Sequence, residues 1–175
     1  MSTLKPAIFY PESPLLKDVA QELIDLYGED LGLKGLNVDS ILFVEDNFKE
    51  AKPEKIQRGE ATIFDVKELH PAVAERLGAD FMVIYYKLNG MKLPPEKLHA
   101  HFLEALLRIN PLGGLNKPDV HTFSALALGL GPDWKRKQAI ADVRMGELLK
   151  GSTVQQRLEF DNVVPMRRTG TERGA

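Results

Sequence analysis

The chain has 175 residues, 43% hydrophobic and 27% charged, with a formal charge of −2, which is globular composition at a length that suits one domain burying about two-thirds of its unfolded surface. Zero cysteines exclude disulfides, iron–sulfur clusters, thiolate zinc sites and a cysteine nucleophile, a usage that fits a reducing cytoplasm. Met1 to Tyr10 holds no basic segment followed by an apolar run, and no stretch approaches about 18 consecutive apolar residues, so neither a leader peptide nor a membrane span is expected.

Ser13-Pro14 predicts a helix start, with Leu16, Val19, Ala20, Leu23, Leu26 and Tyr27 as its apolar stripe and Gly28 as its stop. Val38 to Glu45 is apolar on both parities, Ile41 and Phe43 opposing Val38, Leu42 and Val44, which predicts a strand covered on both faces. Asp46 to Gly59 mixes charges of both signs with Lys52-Pro53-Glu54 and reads as an exposed connection. Ala61 to Val66 is a second strand, Pro71 to Leu77 a short helix, and Asp80 to Lys87 the strongest strand, with Phe81, Val83 and Tyr85 opposite Met82, Ile84 and Tyr86. A long helix opens at Pro94-Pro95-Glu96, carries Leu98, Phe102, Ala105, Leu106 and Ile109 as a core stripe, and ends at Asn110-Pro111. After a flexible glycine-rich loop, Leu112 to Lys117, Pro118 opens a helix with Val120, Phe123, Ala127 and Leu130 on one face, closed by Gly131-Pro132. A last helix spans Lys137 to Leu149. Residues 1–150 therefore read as a single α+β domain, a small mixed sheet packed with several helices, and 151–175 as an extension whose end, Pro165 to Ala175, is a loose tail.

No phosphate-binding glycine loop, dinucleotide fingerprint or serine nucleophile elbow is present. The four histidines are His70, His99, His101 and His121. On one helix His99 and His101 diverge by about 200°, which makes them a poor pair for one metal. His101 and Glu104 share a face, with Arg108 one turn beyond. Two readings stand here: a metal held by His101, Glu104 and a nearby His121, or a surface ion pair between Glu104 and Arg108 worth a few tenths of a kcal/mol. An arginine beside a zinc ion adds repulsion between cations, which favours the second.

The order Val19 to Tyr27, Leu31-Gly32, strands including Asp80 to Ile84, Leu93-Pro-Pro-Glu96 opening a leucine-rich helix, Pro118 to Phe123, and Gly131-Pro-Asp-Trp134 resembles the phage metallopeptidase family, a zincin-like group. The resemblance covers roughly residues 15–135 and implies a zincin-like layout. In that family the long helix carries H-E-x-x-H, two zinc ligands one turn apart with a glutamate as general base. With Leu106-Leu107 and Ile109 fixing the register, the ligand positions fall on Glu104 and Arg108 and the base on Ala105; no residue stands between Pro118 and Asp119, where a further ligand is expected. No glutamate directly follows any histidine, so no register restores the motif. Ala105 cannot act as a base and Arg108 cannot ligate a cation.

The resemblance therefore implies a pseudo-enzyme without a cofactor, a phage-encoded protein in the host cytoplasm that binds a host or phage protein in host takeover, defence evasion or regulation. A divergent zinc-dependent hydrolase using His101, Glu104 and His121 is the alternative. A third reading is nucleic-acid binding through Trp134 with Lys135, Arg136, Lys137, Arg167 and Arg168, an aromatic and basic set suited to stacking and phosphate contact. Residues 131–175 carry nine Lys/Arg against six Asp/Glu, net +3, an excess too small to identify a nucleic-acid binder.

Overall fold

The computed structural model describes residues 10–119 and 123–137. The predicted helix over Lys137 to Leu149, the tail from Pro165, and residues Val120, His121, Arg167 and Arg168 lie outside the described residues, apart from Lys137 itself.

The first helix, α1 (Pro14–Leu31), begins as its proline predicts and buries Leu16, Val19, Ala20, Leu23, Ile24 and Tyr27. Leu26 faces outward and is not part of the stripe. Ser13 holds the capping position, but its hydroxyl donates to Glu45 Oε1 at 2.8 Å instead of capping the helix. Gly28 does not stop α1. It is buried within the helix, where a Cβ would stand 3.5 Å from the Lys34 nitrogen, and the chain turns out at Gly32 with a left-handed φ of 70°.

Val38–Ser40 forms a 3₁₀ turn, with the Asn37 side chain accepting from the Asp39 N–H, so the first strand is shorter than expected: β1 covers Ile41–Asp46. A five-residue helix, α2 (Pro53–Gln57), lies inside the stretch read as a plain connection and buries Ile56. There follow β2 (Phe64–Glu68), α3 (Pro71–Leu77), β3 (Phe81–Tyr86) and the single turn α4 (Lys87–Gly90). Strand order is β1-β3-β2, with β3 parallel to β1 and antiparallel to β2. The sheet is mixed, and with its helices the fold is α+β. Residues 11–13 cover the outer edge of β1 through bonds from Ser13 N–H to Phe43 O and from Glu45 N–H to Pro11 O.

The alternation read in β1 and β3 sorts the two faces as predicted. Ile41, Phe43, Phe81, Val83 and Tyr85 join the main core, while Leu42, Val44, Met82, Ile84 and Tyr86 gather with Tyr10 in a smaller cluster behind the sheet. Val38, in the 3₁₀ turn, belongs to the main core and not to the opposite face.

Helix α5 (Pro95–Leu107) crosses the main core. Leu98, Phe102, Ala105, Leu106 and Ile109 are all buried, as their spacing predicts. The Phe102 ring stacks 4.6 Å from Phe64 and meets Phe43 edge-on at 6.1 Å, fixing α5 against β1 and β2. The next helix, α6 (Ser124–Leu130), begins later than Pro118, where Asp119 Oδ1 accepts from the Ser124 N–H at 2.8 Å; Leu126 and Leu130 are its buried residues. The loop before it is tied to α5: Ile109 bridges Leu115, and the Asn116 N–H donates to Arg108 O at 2.7 Å. Among the described residues no helix is long and apolar enough to cross a membrane.

Candidate functional site

Lys97, His101, Glu104 and Arg108 follow one another at steps of four, three and four, so they form a polar stripe along one side of α5. The turn formed by residues 131–137 lies along this stripe. Lys97 Nζ donates to the Lys137 carbonyl at 2.6 Å, the His101 ring tilts against Trp134 with centroids 4.7 Å apart, and Lys135 Nζ stands 2.5 Å from Glu104 Oε1. Trp134 is fully buried, so it anchors the turn as well as covering His101. Behind the turn Gly59 comes so close that a Cβ there would sit 2.6 Å from the Lys135 carbonyl oxygen, at a φ of 70° that already favours glycine.

Burial governs the electrostatics of the stripe. It lowers the pKa of His101; the nearby Glu104 carboxylate opposes this less strongly, and the charges of Lys135 and Lys97 add to the lowering. His101 Nδ1 lies 3.8 Å from Glu104 Oε2. Lys97, itself buried, is also pushed to a lower pKa by desolvation. At the end of the helix Arg108 Nη1 stands 4.0 Å from Asp65 Oδ1 on β2. Glu104 and Arg108 thus take up two long-range partners, Lys135 and Asp65, where the spacing predicts a pairing with each other.

Below the stripe opens a cleft of about 520 Å³. Its floor is His101, Glu104, Ala105 and Arg108, one wall is residues 59–64, and the other is residues 115–118 with Phe123. Of the positions singled out in the sequence, His101, Glu104, Ala105, Arg108 and Lys135 therefore line one concavity, while His121, Arg167 and Arg168 lie outside the described residues. His99 does not join them: it points into the core, fully buried, and neither ring nitrogen has a hydrogen-bond partner. Of the basic set, Lys135 lines the cleft while Arg136 and Lys137 are exposed beside it.

Among the described residues Glu104 faces the Lys135 ammonium, Ala105 offers only a methyl group and Arg108 a guanidinium, while His121 of the alternative ligand set lies outside the described residues. No group of three His, Asp or Glu side chains among the described residues is close enough to hold a metal. Sequence reasoning missed Lys97, Asp65 and the role of Lys135. The stripe at 97, 101, 104 and 108 was available as a signal for the first of these. No family model, no curated protein and no solved structure matches the chain.

Proposed function

We propose that this chain is a metallopeptidase-like domain, with the zincin-like layout of the phage-encoded kind, that has exchanged metal chemistry for ion pairs and acts by binding a protein partner of host or phage origin in the host cytoplasm. The observation that carries the reading is the Lys135 ammonium 2.5 Å from Glu104. A cation entering at Glu104 would have to displace Lys135 and withstand Arg108 nearby, so the positions that resemble ligands serve electrostatic closure in place of coordination. The cleft remains, and a cleft with apolar walls and a few convergent charges is suited to recognition.

The divergent hydrolase reading would need His101 and Glu104 as ligands together, yet the Glu104 carboxylate already faces the Lys135 ammonium. The nucleic-acid reading loses Lys135, whose charge is matched by Glu104. The binding reading is tested by capture from host lysate with the unaltered chain, with Arg108→Glu in the cleft, and with Lys34→Glu, an exposed position that does not line the cleft. A protein captured by the unaltered chain and by Lys34→Glu, and lost with Arg108→Glu, is the expected outcome. Capture that is indifferent to Arg108 would contradict it.

A further inference from the structure

We propose that the cleft is a carboxylate site in which Arg108 receives the C-terminal carboxylate of a partner polypeptide while the wall beside it takes the last side chain; this rests on the protein-binding reading above. Arg108 is 38% exposed in its side chain, and its ion partner among the described residues is Asp65 Oδ1 at 4.0 Å. That oxygen already accepts from the Val66 N–H at 3.0 Å. A guanidinium offers five donors in a planar fork, so Arg108 keeps most of its capacity for a bidentate carboxylate.

The surroundings favour an anion there. The end of a helix is ordinarily negative through its unpaired carbonyls. At the end of α5 these carbonyls are taken: Asn116 donates from its N–H to Arg108 O at 2.7 Å and from Nδ2 to Leu107 O at 3.0 Å. Glu104 is matched by Lys135, and the cleft's other cation, Lys117, has no ion partner among the described residues. Lining the cleft are three cations, Arg108, Lys117 and Lys135, against Glu60 and Glu104, while Asp65 beside Arg108 is shared with Lys67 at 4.0 Å.

Phe64, Leu115 and Phe123 supply apolar surface on the two walls, and Ala105 leaves the floor open between them. The last residue of a polypeptide carries its carboxylate and its side chain on one Cα, so it brings an anion and an apolar group into a single small cleft together. An internal glutamate has its anion at the tip of the side chain and offers no apolar group at the same place.

The test is a nitrogen-15 NMR titration of the full chain with three probes: N-acetyl-phenylalanine, its amide, and N-acetyl-glutamate α-amide. The free acid is expected to shift the signals of Phe64, Ala105 and Arg108 saturably, with the other two at least about tenfold weaker, the factor a charge-assisted pair supplies. Arg108→Gln, with its spectrum showing an intact fold, should bring acid and amide to the same weak level, and Arg108→Lys should recover part of the difference. Equal binding of acid and amide, failure of all three to bind, or a preference that survives Arg108→Gln would overturn the site. Glutamate amide binding as tightly as the free acid would overturn the C-terminal assignment in favour of a side-chain carboxylate. About one zinc per chain in the same sample would instead overturn the protein-binding reading, so the two failures are distinguishable.

Discussion

Replacing His99 by leucine exchanges a buried imidazole for an apolar side chain of similar volume at a position with no solvent contact. Neither ring nitrogen of His99 has a hydrogen-bond partner, and burial pushes its pKa from 6.5 down to about 4. The unfolded chain therefore takes up a proton near pH 6.5, which the folded chain refuses until about pH 4. No proton-linked cost from His99 acts above the unfolded value, and stability is lost as pH falls through that window because only the unfolded chain takes up the proton. The gap of about 2.5 pH units corresponds to about 3 kcal/mol. His99→Leu also removes buried nitrogens whose lost hydration costs about 1–3 kcal/mol. Urea denaturation of both proteins between about pH 7 and pH 4 should show the variant more stable at neutral pH by an amount of that order, the advantage widening by about 3 kcal/mol on acidification. His101, also lowered by burial, is present in both proteins, so the difference between them isolates His99. Parallel pH profiles, or a variant less stable at neutral pH, would refute the reasoning.

Leu106→Asp puts a carboxylate at a position with 0% exposure and should cost several kcal/mol or prevent folding, whereas Arg108→Ala should cost under about 1 kcal/mol; thermal melts rank the two. Gly59→Ala meets both a left-handed φ and the Lys135 backbone, and should cost about 2 kcal/mol or more, read as a lower denaturant midpoint, while changing the fluorescence of Trp134, the chain's single tryptophan. Asn89 is buried and links two segments, accepting from the Ala51 N–H at 2.7 Å and donating to the Thr62 carbonyl at 2.8 Å. Asn89→Ala should therefore cost about 1–3 kcal/mol, read as a shift of the urea midpoint at unchanged slope.

Elements whose burial repeats regularly were legible in the sequence. The two faces of β1 and β3 and the core stripe of α5 follow from periods of two and 3.6, which residues on one element impose on one another. Gly28 misled because a glycine can also sit inside a helix, here one that turns out four residues later at Gly32 with a left-handed φ of 70°. Helix α2 has five residues, too few for a period to develop. At the site, the convergence of Glu104, Ala105 and Arg108 was readable because one helix carries all three. Their partners were not: Lys135 is 31 residues from Glu104 and Asp65 is 43 residues before Arg108, and local spacing carries no information about pairs made by tertiary packing.

The most direct test of the exchange of metal chemistry for ion pairs is elemental analysis of the chain purified without an affinity tag, after exposure to excess zinc and desalting. The account predicts well under about 0.1 zinc per chain, because Glu104 is held by Lys135 and Arg108 stands one turn beyond it. About one zinc per chain, lost on Glu104→Ala or His101→Ala in a protein that still folds, would contradict it.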